Sequence, residues 1–325
     1  MLLTPDQTRH LYEHAALHHY AVLAVNADSP AAVTDCLIAA AECGAPLVIE
    51  TSLWQLTGHS YGAGDACLGL DRYLAELRLM ATSKRFQSVP VVFHTDHIKG
   101  PETVRILEHA IRSGASSVSL DSSELEPQEN ISLMSGLCAY AETTGLPVTL
   151  EMEAGVDDGV TGLDETRALF GEVERRHPER LALWAPGVGT RHGLDADLGG
   201  FSPEAVRQHQ RLASDLAGRP IGIALHGSSG LGRGQLQDAV AAGVTKVNWS
   251  SESLLIRSQA ARAYFAENGA ALEKSAPGFK AAAMDHGMQS FISQRYVPKV
   301  VERMQVLLGS APLPVDFGSA GGNLG

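Results

Sequence analysis

The sequence predicts an α/β protein, a (β/α)8 TIM barrel with extra C-terminal helices. Three observations carry that expectation. Eight short apolar runs recur along the chain, amphipathic alanine-rich segments separate them, and successive runs start 25 to 44 residues apart. That spacing is the size of one βα unit. Short apolar runs bounded by Gly, Pro or polar turns suit strands buried on both faces of a parallel sheet. A doubly wound open sheet is the runner-up. It accounts less well for eight evenly spaced strands, and no G-x-G-x-x-G follows the first run.

The runs are, in order, 20–26 (YAVLAVN), 46–52 (PLVIETS), 90–96 (PVVFHTD), 116–121 (SSVSLD), 147–153 (PVTLEME), 181–187 (LALWAPG), 220–227 (PIGIALHG) and 245–251 (TKVNWSS). Helical periodicity covers 31–42, 72–82, 102–112 and 234–242 between them, and the glycines of SGASSV and AGVTKV suit helix C-caps that feed the next strand. Beyond the eighth run, 254–268 and 289–308 read as further helices. One domain over 1–309 is expected, followed by a mobile Gly- and Pro-rich tail at 310–325.

Composition narrows the function. The chain has 325 residues, 44% apolar, with a net charge of 25 − 37 = −12. An ordinary apolar fraction excludes wholesale disorder, and the acidic balance argues against a nucleic-acid partner. A small anionic substrate is compatible with it, because a helix N-terminus holds phosphate whatever the global charge. No apolar stretch is long enough for a membrane span. The N-terminus lacks the basic and apolar regions of a secretory signal. Cys36, Cys43, Cys67 and Cys138 form no C-x-x-C pair, so reduced thiols and a cytoplasmic location are expected. Cys36 and Cys43 share a helix face and read as core.

In a barrel, chemistry gathers at the C-terminal strand ends. Here those ends carry Asn26, Glu50 to Ser52, His94 to His97, Asp121, Glu151 and Glu153, Gly189 to Gly193, His226 to Gly230, and Asn248 to Ser251. His97, His192 and His226 match the three protein ligands of a catalytic zinc that keeps a fourth position open. Asp96, beside His97, is placed to handle a proton; an N-cap is its plainer role. His94 shares the strand face of Asp96 and would stand behind the ligands. Glu151 and Glu153 share a face, and a buried ion pair is their plainer role. The HGSSG stretch, with Ser250 and Ser251 on the next unit, suits an oxyanion cradle at a helix N-terminus, in the phosphate position of many barrels. His59 and Tyr61 follow the second run, near the rim, with no role assigned.

The order HTDH, LDSSELEPQENI, LEMEAG–DDGV, GTRHG, LHGSSG and KVNWSS resembles the class II, zinc-dependent ketose-bisphosphate aldolases, in register from about residue 20 to 255. The segment VIETSLWQLTGHSYG followed by HTDHIKGP also resembles the accessory subunits of some tagatose-bisphosphate aldolases. The resemblance implies that His97, His192 and His226 bind the catalytic Zn2+, with Glu153 as an alternative ligand and Asp121 near a secondary metal site. Asp96 would shuttle the proton of the substrate hydroxyl. Gly193, Gly227, Ser229, Ser250 and Ser251 would hold the ketose phosphate, with a monovalent cation (Na+ or K+) nearby. Asn248 would contact the dihydroxyacetone part, and Asn26 and Ser52 the aldehyde side. Retro-aldol cleavage leaves a negative enediolate that a Lewis acid stabilises without a Schiff base.

The departures from the family pattern are specific. The loop AGVDDGV is short, leaving Asp157 or Asp158 to act where relatives use longer acidic loops. HGLDADLGG is acidic where some relatives have a phosphate-binding Lys. Trp249, Ser250 and Arg191 are also unusual. A changed substrate follows, on which two phosphates are not to be assumed. The resemblance implies a phosphorylated sugar as substrate and a homodimer or homotetramer. A non-catalytic accessory barrel is the competing reading, and a metal-dependent epimerase or lyase of the same fold is the third.

Overall fold

The computed structural model of the chain describes every residue except 156, 158, 195–199, 312, 314 and 316–325. Its centre is a closed parallel barrel with strand order β1 to β8 and β8 paired back to β1. The strands are β1 (Val22–Asn26), β2 (Leu47–Thr51), β3 (Val91–Thr95), β4 (Ser117–Leu120), β5 (Thr149–Glu153), β6 (Leu181–Ala185), β7 (Gly222–Leu225) and β8 (Val244–Trp249). Every residue in them is buried, as expected of strands covered by helices outside and by side chains within. The eight predicted runs are these eight strands.

An N-terminal helix that the periodicity did not reveal, α1 (Pro5–His18), closes the bottom of the barrel. It opens with a capping box in which Thr4 and Gln7 bond reciprocally, and Pro5 fits the first helical turn. The Leu3 amide donates to the Val91 carbonyl, and the Thr149 hydroxyl donates to the Pro5 carbonyl. Tyr12 is thereby buried beneath the barrel interior, and burial raises its pKa above the usual phenol range.

The outer ring comprises α2 (Pro30–Cys43), α3 (Leu53–Thr57), α4 (Ala66–Thr82), α5 (Thr103–Arg112), α6 (Pro127–Thr144), α7 (Leu163–Thr166), α8 (Glu172–Arg176), α9 (Pro203–Ala217) and α10 (Arg233–Ala242). A π-helical turn, Arg167–Gly171, joins α7 to α8. After β8 come α11 (Ser251–Asn268), α12 (Phe279–Ala283) and α13 (Asp285–Leu308), so the two expected C-terminal helices are present and longer. Helix α13 lies on α2 and α11: the Ser253 hydroxyl bonds Tyr296, the Cys36 thiol lies 3.7 Å from the Tyr296 hydroxyl, and Arg257 pairs with Asp35. Cys36 is thus a core residue toward α13, while Cys43 is half-buried at the edge of the same contact, its thiol 4.0 Å from the Val301 carbonyl. Most of the expected tail at 310–325 lies outside the described residues. No helix among the described residues is long and apolar enough to cross a membrane.

Candidate active site

The strand ends surround a cleft of about 620 Å³. β3 stops at Thr95, and the next two residues both turn into the cleft. His97 makes this possible by adopting φ = 48°, a left-handed backbone that a non-glycine residue holds only where its surroundings impose it. Asp96 and His97 therefore serve one site although neighbouring strand side chains face opposite ways.

Three imidazoles converge there. His97 Nε2 lies 3.1 Å from His192 Nε2 and 3.1 Å from His226 Nδ1. Each ring turns its other nitrogen to a carboxylate: His97 Nδ1 to Asp121 (3.1 Å), His192 Nδ1 to Asp157 (3.0 Å) and His226 Nε2 to Glu151 (2.9 Å). Carboxylates that take the outer N–H leave the inner lone pairs free and point them at one place, which is how metal-ligating histidines are oriented. Burial, and then the neighbouring His97, lower His226 well below the ordinary imidazole range, favouring its neutral form. Burial opposes charge on His97 as well, yet Asp96 and Glu153 raise it well above that range. The site thus stabilises positive charge at the point where the rings meet. Three convergent imidazole nitrogens, with the Asp96 and Glu153 carboxyl groups beside them, fit a divalent metal. Glu153, with Asp96, His97 and His226, forms an overlapping set of convergent donors, and burial raises its pKa to about 7.

Asp96 is buried and held by both oxygens. Asn26 Nδ2 donates to Oδ2 and Asn248 Nδ2 to Oδ1, each at 2.9 Å. Burial works against its charge, but His97, His226 and Lys246 keep its pKa at about 2. It is a carboxylate at neutral pH, 3.8 Å from His97 Nε2. The plainer helix-cap role does not apply to it, since α5 begins at Thr103.

Beneath this lies a buried polar layer. Lys246 Nζ sits 3.0 Å from Glu151, 3.2 Å from Glu50 and 2.8 Å from Asn248 Oδ1. Burial opposes its charge, while Glu151 and Glu50 raise its pKa above the ordinary lysine value. Burial, and after it Asp96, raise Glu50 well above the usual carboxylate range. The Lys246 bond fixes the Asn248 amide so that its N–H faces Asp96. Glu151 joins Lys246 to His226. The ion-pair reading of Glu151 therefore holds, with a lysine as partner, and Glu151 also orients a ligand. His94 lies in the same layer, 3.6 Å from Glu151 and bonded to Ser117.

On the opposite wall, Gly193, Gly227, Ser229, Ser250 and Ser251 line the cleft. Gly227 has φ = 63°, and a Cβ there would meet the Arg191 backbone at 2.7–2.9 Å, so the β6 and β7 loops need glycine to touch. The helix N-terminus at this wall is that of α11, which starts at Ser251. α10 starts only at Arg233, beyond the HGSSG stretch.

The expected site residues thus gather in one place, with two qualifications. Asp158 lies outside the described residues. Asp157 accepts from the His192 main-chain N–H (2.8 Å) and ring; these bonds, against burial, lower its pKa and make it an orienting group first. Asp121 stands behind His97 and pairs with Lys99 (3.1 Å). Tyr61 does not line the cleft: it is buried, stacked on Tyr73 and bonded to Glu76. Trp54, Lys99, Glu124 and Lys246 were not foreseen. Trp54 lies in α3, Lys99 and Glu124 in loops and Lys246 inside β8; each falls within a stretch quoted for the resemblance, which attached no role to it.

An eight-stranded parallel barrel with a three-histidine, carboxylate-backed centre at its catalytic rim defines a class of metal-ready barrel. The family profile described as "Fructose-bisphosphate aldolase class-II" matches residues 6–310, and the chain belongs to that family. It is 26% identical over 264 residues to a fructose-bisphosphate aldolase of Mycoplasma pneumoniae, covering 79% of this chain and 83% of the relative. It is 27% identical over 291 residues to a 6-phospho-5-dehydro-2-deoxy-D-gluconate aldolase of Bacillus licheniformis, covering 87% and 93%. Among solved structures, a fructose-bisphosphate aldolase from Campylobacter jejuni superposes with a TM-score of 0.80 at 22% identity, covering 94% of each chain. The YdjI aldolase from Escherichia coli K12 gives 0.69 at 21% identity, covering 96% and 99%. These structural likenesses speak to the fold.

Proposed function

We propose that this protein is a zinc-dependent aldehyde-lyase that reversibly cleaves a phosphorylated ketose, releasing a dihydroxyacetone-phosphate-type half and an aldehyde. One observation carries the reading: three convergent imidazoles, each backed by a carboxylate, stand beside an Asp96 whose two oxygens are held by amide donors. His97, His192 and His226 would hold the metal, which supplies Lewis-acid stabilisation of the negative charge left by cleavage.

The chain's own residues do the rest. Asp96, ionised at neutral pH, takes the proton from the substrate hydroxyl as the carbon–carbon bond breaks. In the condensation direction it returns that proton to the new alkoxide. Asn26 and Asn248 keep it aimed, and the Lys246 bond keeps Asn248 from turning over. Glu151, Asp121 and Asp157 fix the imidazole tautomers. The glycines and serines at the α11 N-terminus provide N–H and hydroxyl donors for a phosphate, with the helix dipole adding to them. Support for the substrate class comes from the named relatives, both aldolases acting on phosphorylated compounds by their names.

The test is a retro-aldol assay on a panel of ketose mono- and bisphosphates, following dihydroxyacetone phosphate with and without a chelator. Chelator-sensitive release from at least one member is expected. Silence across the panel with metal-loaded protein would refute the reading.

A further inference from the structure

We infer that the aldehyde taken by this site is an uncharged hydroxyaldehyde, carrying no second phosphate, and that Trp54 is the surface on which it rests. The inference builds on the aldolase reading above. With one phosphate against the β6–β8 loops and the reacting carbons at the histidines, the rest of the substrate must extend toward the loops after β2, β3 and β4. In a closed eight-stranded barrel these lie across the cleft from β7 and β8.

The chemistry of that far side is wrong for phosphate. Its lining includes Ser52, Leu53, Trp54, Lys99, Ser123 and Glu124. Lys99 is the one Lys or Arg lining the cleft among the described residues. Its ammonium is already held between Asp121 at 3.1 Å and Glu124 at 2.9 Å. A second phosphate would have to displace two carboxylates from that lysine and then lie beside them, a like-charge arrangement that disfavours binding.

Trp54 supplies the contrasting feature. It stands in the first turn of α3, where Leu56 is turned fully into the core while Trp54 is 85% exposed at the cleft. An indole gives a broad apolar face with a polar edge. The C–H face of a polyhydroxylated chain can pack on it, while the Ser52 and Ser123 hydroxyls, which donate to Gln55 and Asp121, keep lone pairs to accept from that chain's hydroxyls. In the condensation, the donor's methylene carbon loses a proton and bonds to the aldehyde carbon, and the aldehyde oxygen gains a proton. No oxidant or reductant enters, so acceptor choice rests on binding alone.

The experiment uses zinc-loaded full-length protein. Solvent deuterium exchange into dihydroxyacetone phosphate alone first reports the donor half-reaction. Condensation with glyceraldehyde is then compared with glyceraldehyde 3-phosphate. Exchange should occur, and kcat/KM should favour the neutral aldehyde by at least about tenfold. Trp54→Ala should raise the KM for the neutral aldehyde several-fold, and Trp54→Phe should restore most of it. Both are surface substitutions that leave the core intact. Glu124→Lys should raise kcat/KM for the phosphorylated aldehyde. Exchange with a preference for glyceraldehyde 3-phosphate, or a Trp54→Ala variant with unchanged acceptor KM, would overturn the inference while sparing the aldolase reading. No exchange at all would overturn both.

Discussion

Replacing Lys246 by Met tests the buried layer that supports the site. The Lys246 ammonium is fully buried, 3.0 Å from Glu151 and 3.2 Å from Glu50. At an effective dielectric constant of about 20, one such contact is worth about 5 kcal/mol of Coulomb energy before desolvation is counted. Much of that is offset by the cost of burying the charges. Removing Lys246 alone, however, leaves Glu151 buried without its cation, and such losses run to about 3–5 kcal/mol. Lys246→Met should therefore lower the unfolding free energy by about 3–5 kcal/mol, a large share of a typical domain's stability of about 5–15 kcal/mol. Equilibrium urea denaturation of metal-free protein is the assay, since a bound metal would add its own stabilisation to the native state. Glu151→Gln should cost a comparable amount, though Gln can still accept from His226. The double variant should lose clearly less than the sum, because the charges are then removed together. A cost under about 1 kcal/mol for Lys246→Met, or strict additivity in the cycle, would refute the reasoning.

The other expectations follow from the same geometry. Asp96→Asn should lower kcat by about 10²–10⁴-fold while the metal content stays unchanged, because the proposed proton carrier is lost and His97, His192 and His226 remain; parallel kinetics and metal analysis decide this. Gly227→Ala should destabilise the protein by about 1–3 kcal/mol and raise the KM for the phosphorylated substrate, since the new Cβ meets the Arg191 backbone. Asp157→Asn should weaken metal binding by about 10–100-fold through loss of the carboxylate behind His192, measured by competition with a chelator of known affinity.

Much of this molecule was legible before its structure. Each strand is short and buried on both faces, with polar residues at its C-terminal end or within a few residues beyond it, so apolar runs and the polar residues after them marked both the barrel and its working rim. The strand edges were one or two residues generous, as at 46–52 against Leu47–Thr51. Helix α1 escaped because its apolar positions are few: Leu11, Tyr12 and Ala15 are buried among histidines and charges. Its capping box at Thr4 and Gln7 was the available signal. The Lys246 layer could not be read at all. Glu50, Glu151 and Lys246 are about a hundred residues apart along the chain and meet only because β2, β5 and β8 face one interior. Likewise, Asp157 looked like a free acid in a short loop, and only the approach of the β5 and β6 loops shows that His192 claims it. Trp54, in the short helix α3, and Glu124, in the loop after β4, are both exposed, so no pattern of burial marks them.

Zinc binding by the wild-type chain and by His226→Ala, followed by equilibrium dialysis and elemental analysis, tests the central claim most directly. The geometry predicts one tightly held ion per wild-type chain and its loss in the variant. A wild-type chain that holds no zinc, or a variant that holds it as tightly, would contradict the three-histidine centre on which the account stands.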